Sequence, residues 1–207
     1  DISVYNKNLF YNGDLTEDDS ILSFVFNRTL FNIASIYLQQ IARVGYVQEN
    51  LVIATGGERT ASRNWHRDGA DKKILKVFLY HNVVQKQNGP FEFIKHTHYK
   101  GVHKDIMSLK STGLYGGSTV KDRLQSLVDQ NDFLNKNIVS AEGGEGTIIF
   151  CDTSGIHRGG HCSTGERRMS TLAYYSNAAL IKREKFKISK TATIPQDRNH
   201  LMAFGLK

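Results

Sequence analysis

Apolar residues recur at helical spacing in two stretches near the start of the chain. The first runs from Ile21 to Phe26; the second is marked by Leu30, Ile33, Leu38 and Ile41. This spacing predicts two amphipathic helices, with Thr16 and Asp19 placed to cap the first. After Asn50 the texture changes. "LVIA" (51–54), "ILKVFLY" (74–80), "FEFI" (91–94), "TIIFC" (147–151) and "MSTLAYYS" (169–176) are short, β-rich runs that predict strands. Turn signals separate them, notably "KQNGP" at 86–90. The strand signal fades between about 99 and 146, where "STGLYGGST" precedes a short helical stretch, "VKDRLQSLVDQ". A long insertion in a compact β domain is often a lid or a binding loop, and a plain surface excursion is the other reading.

The expectation is a mainly β domain with flanking helices, built as a sandwich or barrel. Residues 1–50 form an N-terminal helical layer, 51–98 and 147–177 the β core, and 99–146 the insertion. The length of 207 residues suits one domain. No repeat or low-complexity tract is visible, and two prolines give no linker.

Composition adds limits. With 40% hydrophobic and 23% charged residues the chain reads as globular. No run approaches the ~18 consecutive apolar residues that a membrane span needs, and no leader of basic then apolar residues opens the chain. A first residue of Asp rather than Met reads as a trimmed chain or a fragment. Two cysteines, Cys151 and Cys162, are too few for a disulfide framework and fit no zinc spacing. Both are expected to be reduced, in a cytoplasmic setting. The formal net charge of +7 reads first as a solvated basic surface, because the basic residues are scattered; a small anionic substrate or cosubstrate is the second reading, and nucleic acid is the weaker candidate.

The chemistry begins at "NWHRDG" (64–69). On an extended chain His66 and Asp68 point to one face and can converge on one atom. A third donor is expected from His157 in "CDTSGIHRGGH", just after the strand "TIIFC". Two imidazoles and one carboxylate with open positions form the facial triad of non-haem Fe(II) oxygenases. Eleven residues beyond His157 stands Arg168, followed by Ser170 on the same strand face. A guanidinium fork and a hydroxyl make a receptor for a carboxylate, as the distal end of 2-oxoglutarate requires. Arg167 is the alternative clamp.

On these residues the chain resembles the Fe(II)/2-oxoglutarate-dependent oxygenases, and within them the phytanoyl-CoA dioxygenase-like family. "WHRDG", "NGPFEFIKHTHYKG" and "GTIIFCDTSGIHRGGHCSTGERRMSTLAYYS" carry the resemblance, over roughly residues 60–104 and 144–177. It implies a double-stranded β-helix (jelly-roll) core, with His66, Asp68 and His157 as iron ligands and Arg168 as the 2-oxoglutarate clamp. Phe78, with Lys76 and Tyr80 on its strand face, falls where family members line the cosubstrate pocket. The implied reaction uses O2 to hydroxylate an unactivated C–H bond of a small molecule, with succinate and CO2 as coproducts. Lys95-His96-Thr97-His98 stands where the family usually has a Pro-Gly-Ser/Thr-His turn.

A lone His-x-Asp is usually an accident; its order with a distal His and Arg gives it weight. His96, His98 and His161 read as hydrogen-bonding or surface residues, Trp65 as core. Two rival functions remain: a metal-holding binding or sensor protein without oxidation, and a nucleic-acid dealkylase.

Overall fold

The computed structural model describes residues 6–11, 14–15, 19–54, 59, 61–104, 123–181, 186–188 and 193–206. Two helices lie near its start, Asp19–Val25 (α1) and Arg28–Leu38 (α2). Asn27 ends one and caps the next: its side-chain oxygen accepts from the Leu30 amide at 3.1 Å. The residues that α2 buries are Leu30, Phe31, Ala34 and Leu38, whereas Ile33 and Ile41 remain partly exposed. Ile21–Leu38 reaches a mean hydropathy of 1.3 over 18 residues, enough by composition to cross a membrane. It is not one continuous apolar run: Asn27, Arg28 and Thr29 interrupt it at the junction of the two helices. Its buried apolar side chains, which leave out Ile33 and Ile36, pack against Val44, Val47, Leu75, Val77, Leu172 and Tyr174 of the sheet beneath.

That sheet has five antiparallel strands in the order β1-β3-β9-β4-β7: Asn6–Tyr11, Arg43–Ile53, Glu166–Tyr175, Ile74–Tyr80 and Ile148–Asp152. A second sheet of three, β6-β5-β8, comprises Ile138–Ala141, Phe91–Ile94 and His157–Gly159, and a short parallel pair joins β2 (Asp14–Leu15) to β10 (Lys187–Ile188). Phe78, Tyr80 and Met169 of the large sheet pack against Phe91 of the small one. The architecture is the expected jelly roll with helices outside. Three of the predicted strands, at 74–80, 91–94 and 147–151, lie where the pattern put them, within a residue. The insertion contains the helix Arg123–Gln130 inside the predicted helical stretch, while Thr16 and "STGLYGGST" lie outside the described residues.

The strand predicted at 51–54 begins earlier, at Arg43, and β1 precedes both helices, so the first fifty residues are not helical throughout. Gln48, Glu49 and Asn50 explain why β3 was hidden: polar residues dilute its apolar signal. A bulge between Val44 and Tyr46 also breaks the alternation. Gly45 sits in that bulge with the Tyr175 ring against it, where a Cβ would collide. Beyond the bulge, Val47 faces the helices and Tyr46, Gln48 and Asn50 face the space between the sheets.

Candidate metal centre and its pocket

His66 and His157 come from segments far apart in sequence that form an antiparallel bridge. The His66 amide donates to the His157 carbonyl at 3.0 Å, and the His157 amide to the His66 carbonyl at 2.9 Å. Directly opposed residues share a face, and the two rings lie 4.2 Å apart between centroids. Asp68 continues the same edge: its amide donates to the Thr153 carbonyl at 3.0 Å. One ligand atom from each of His66, Asp68 and His157 lies within 4.8 Å of the others.

Arg67 alternates away from this face, and its guanidinium donates to the carbonyls of Thr97, Ser154 and Lys104. It fastens the loop after β5 to the turn before β8. The Asp152 carboxylate accepts from the Ser154 amide at 3.0 Å and the Ile74 amide at 3.2 Å, holding the same turn. His157 is thus set by a rigid corner.

Each imidazole has its tautomer fixed in the same way. His66 Nδ1 lies 2.8 Å from the carbonyl of Asn64, and His157 Nδ1 lies 2.9 Å from that of Gly155. A carbonyl only accepts, so each Nδ1 carries the proton and each Nε2 keeps a lone pair. Burial lowers both imidazoles below their ordinary range, His157 to about 3. Burial alone would raise the Asp68 carboxyl, but Lys76, His157 and His66 outweigh it and hold it well below the usual carboxylate range. Burial opposes the Lys76 charge, and Asp68 overrides that, so the ammonium persists. Two neutral nitrogen donors and one anionic oxygen on one face suit a divalent first-row metal.

A cavity of about 150 Å³ borders the two histidines. Lys76 and Phe78 line it, as the sequence suggested, and so do Phe91, Met169 and Thr171. Tyr80 shares the face of Lys76 and Phe78, but its hydroxyl joins the sheets, donating to Ala141 O at 2.9 Å and accepting from the Phe91 amide at 3.0 Å.

The expected clamp needs correction. Arg168 and Ser170 do share a face, but it is the one turned away from the cavity. Arg168 is 48% exposed in its side chain and pairs through Nε with Glu49 Oε1 at 2.5 Å. Ser170 Oγ lies 2.7 Å from His81 Nε2. Side chains alternate along a strand, and the cavity takes the odd-numbered set: Arg167, Met169 and Thr171. Arg167 is buried, and its Nη1 donates to the Gly89 carbonyl while its Nε has no described hydrogen-bond partner. Gly159 leaves the guanidinium its room, since a Cβ there would lie 3.3 Å from Arg167 Nη2.

Tyr46, Gln48 and Asn50 of β3 also line the cavity and were missed, because the strand that carries them was not predicted. A larger cavity of about 580 Å³ borders Asp68 and is edged by Lys72, Tyr99, Lys104 and Leu180. Trp65 is buried with Ile94, Val128, Leu134 and Ile156, as expected of a core residue, beneath the Arg158 guanidinium at 4.0 Å. Cys151 and Cys162 are both free and buried. His96, His98 and His161 are not part of the triad.

No protein-family profile matches the chain, and no curated protein matches it. Its fold is similar to that of solved structures. The non-heme alpha ketoglutarate dependent epimerase SnoN from nogalamycin biosynthesis is 14% identical, with a TM-score of 0.56 over 77% of this chain and 59% of that one. EctD from S. alaskensis, solved with 2-oxoglutarate and 5-hydroxyectoine, is 17% identical, with a TM-score of 0.55 over 80% of this chain and 55% of EctD. AviO1 from Streptomyces viridochromogenes Tue57 is 15% identical, with a TM-score of 0.50 over 84% of this chain and 68% of that one. The chain therefore spans less than two thirds of the length of SnoN and EctD, and at these identities the likeness is one of fold.

Proposed function

We propose that the chain is an Fe(II)- and 2-oxoglutarate-dependent dioxygenase, a single oxygenase domain of the phytanoyl-CoA dioxygenase-like kind, that hydroxylates a small molecule. One observation carries the reading. Three metal donors, two of them imidazoles with fixed lone pairs, converge beside a cavity whose described lining holds two buried cations, Arg167 and the Asp68-paired Lys76, and no carboxylate of its own. Such a lining suits a small dianion.

His66, Asp68 and His157 would hold the iron. Bound iron would supply the redox chemistry that couples O2 and the decarboxylation of 2-oxoglutarate to oxidation of a C–H bond, releasing succinate and CO2. Arg167, in place of Arg168, would take the distal carboxylate, with Thr171 on the same strand face. Phe78, Phe91 and Met169 would exclude water from the reacting atoms. SnoN, named an epimerase, and EctD, solved with 2-oxoglutarate and 5-hydroxyectoine, are both similar in fold, so hydroxylation is the narrower part of the proposal. A cytoplasmic setting belongs to the same reading, supported by the two free thiols.

The test is anaerobic. Fe(II) and then 2-oxoglutarate are added to the purified protein, and the visible charge-transfer absorption of a chelated 2-oxo acid is recorded. The reading stands if the absorption forms and Asp68→Ala abolishes it. Iron binding without that absorption would turn the assignment to a metal-holding binding protein.

A further inference from the structure

Lys76 stands in the middle of β4, buried, with its side chain turned into the cavity. Its Nζ lies 2.6 Å from Asp68 Oδ2. The same Oδ2 lies 3.8 Å from His157 Nε2. It is therefore the carboxylate oxygen on the imidazole side, the one the triad would offer to a metal. One oxygen faces two claimants, the ammonium and the metal.

The charges around that oxygen sharpen the conflict. Asp68 and Lys76 together are neutral. A divalent ion added to them leaves a charge of +2 in a buried site, and Arg167 on the cavity wall adds to it. None of the described residues that line the cavity is an aspartate or glutamate. Beyond Asp68, the aromatic neighbour of the ammonium is Tyr46, its ring centre 5.5 Å from Nζ, and that ring carries no net charge to answer it. A dianionic cosubstrate entering with the metal supplies the missing charge and gives the displaced ammonium a carboxylate to meet.

On the reading of the site as an iron and 2-oxoglutarate centre, we propose that Lys76 couples the two. It competes with the metal for Asp68 Oδ2, so that the metal is held weakly alone and tightly only with a dianionic 2-oxo acid. Linkage makes the effect reciprocal: bound metal strengthens cosubstrate binding by the factor through which the cosubstrate strengthens metal binding. Lys76 is a positioning residue here, acting through Asp68.

The test measures Mn(II) affinity from the free-ion EPR signal, with and without saturating 2-oxoglutarate, in the wild type and in Lys76→Met, Lys76→Gln and Lys76→Arg. Without 2-oxoglutarate, the Met and Gln variants are expected to bind Mn(II) at least about tenfold tighter than wild type, and to lose most of the gain that 2-oxoglutarate confers; allosteric couplings fall in this range. Lys76→Arg keeps the charge and should keep the wild-type pattern. A purely structural lysine gives the opposite result, weaker Mn(II) binding in every variant with a lowered melting temperature, and overturns the proposal. So does an affinity within about twofold of wild type in both Met and Gln variants. If wild type itself binds no Mn(II) under either condition, the metal reading falls and the coupling with it. Mn(II) bound by wild type but indifferent to 2-oxoglutarate removes the cosubstrate instead.

Discussion

His66 and His157 exchange both of their backbone hydrogen bonds, at 3.0 and 2.9 Å, and this reciprocal pair sets the spacing of the candidate metal donors. The separation of the imidazoles is built into main chain, and each ring is oriented by a carbonyl two residues before it. The two imidazoles are thus preorganised for an ion, and the rearrangement left is at Asp68, which must exchange Lys76 for it. His66→Ala, His157→Ala or Asp68→Ala should each weaken Mn(II) or Fe(II) binding by more than the roughly 10–100-fold typical of losing an outer-shell partner. Metal content after equilibrium dialysis checks this. Retention of stoichiometric metal by any one of the three would remove that residue from the site.

The neighbouring arginines of β9 make a sharper comparison. Arg167 is buried on the cavity wall, and Arg168 pairs with Glu49 on the other face. A charge-assisted hydrogen bond contributes about 1.5–3 kcal/mol, so Arg167→Met should raise the 2-oxoglutarate dissociation constant by about 10- to 150-fold. Arg168→Met should leave that constant near its wild-type value and show itself in thermal stability alone. Titrating 2-oxoglutarate into the Mn(II)-loaded proteins by calorimetry separates them, and a larger loss at Arg168 would restore the clamp expected from sequence.

The contrast also shows where sequence reasoning stops. The triad was legible because its residue types are rare together and carry chemistry in their order. The face of β4 was legible too, and Lys76 and Phe78 line the cavity as expected. β9 was not. It is a central strand paired on both sides and buried on both faces, so Leu172 and Tyr174 toward the helices look no different from Ala173 and Tyr175 toward the other side. With Arg167 and Arg168 adjacent and Ser170 beside Thr171, either register offered a guanidinium and a hydroxyl. The register is fixed by long-range pairing, Leu51 with Arg168 and Val52 with Arg167, which no local pattern reveals.

The buried histidines give the protein without metal a pH dependence of definite sign. His157 falls from the ordinary imidazole range to about 3 on folding, chiefly through burial, and His66 shifts in the same direction. A lowered imidazole stays neutral when folded while the unfolded chain takes up a proton. Stability is thus unaffected above about pH 6.5 and is lost as the pH falls from there toward 3. At pH 5 the penalty from one such histidine is about 2 kcal/mol. Urea denaturation of the chelator-treated protein should therefore show lower stability at pH 5 than at pH 7, with a smaller drop in His157→Gln. Equal drops in the two proteins would place the proton uptake elsewhere.

The last expectation concerns a turn rather than a ligand. Gly89, in Asn88-Gly89-Pro90, has a φ of +71°, in the left-handed region that only glycine enters freely. Its neighbours reinforce the requirement, because a Cβ at Gly89 would lie 2.5 Å from the Gly160 carbonyl oxygen and 2.6 Å from the Cys162 amide nitrogen. The same residue's carbonyl accepts from Arg167 Nη1. Conformation, close packing and the orientation of the guanidinium thus meet at one position. In Gly89→Ala the left-handed backbone alone costs about 1–2 kcal/mol, and relief of the collision must move the turn away from the segment after β8. The carbonyl would move with it, and Arg167 would lose its anchor. Gly89→Ala should therefore lower the melting temperature and also raise the 2-oxoglutarate requirement, although residue 89 does not line the cavity. Gly144→Ala is the control, since a Cβ there meets nothing within 4 Å. Calorimetric 2-oxoglutarate affinities for the two variants decide it: a destabilised Gly89→Ala that binds 2-oxoglutarate as tightly as the Gly144 control would show that Arg167 holds its place without the turn.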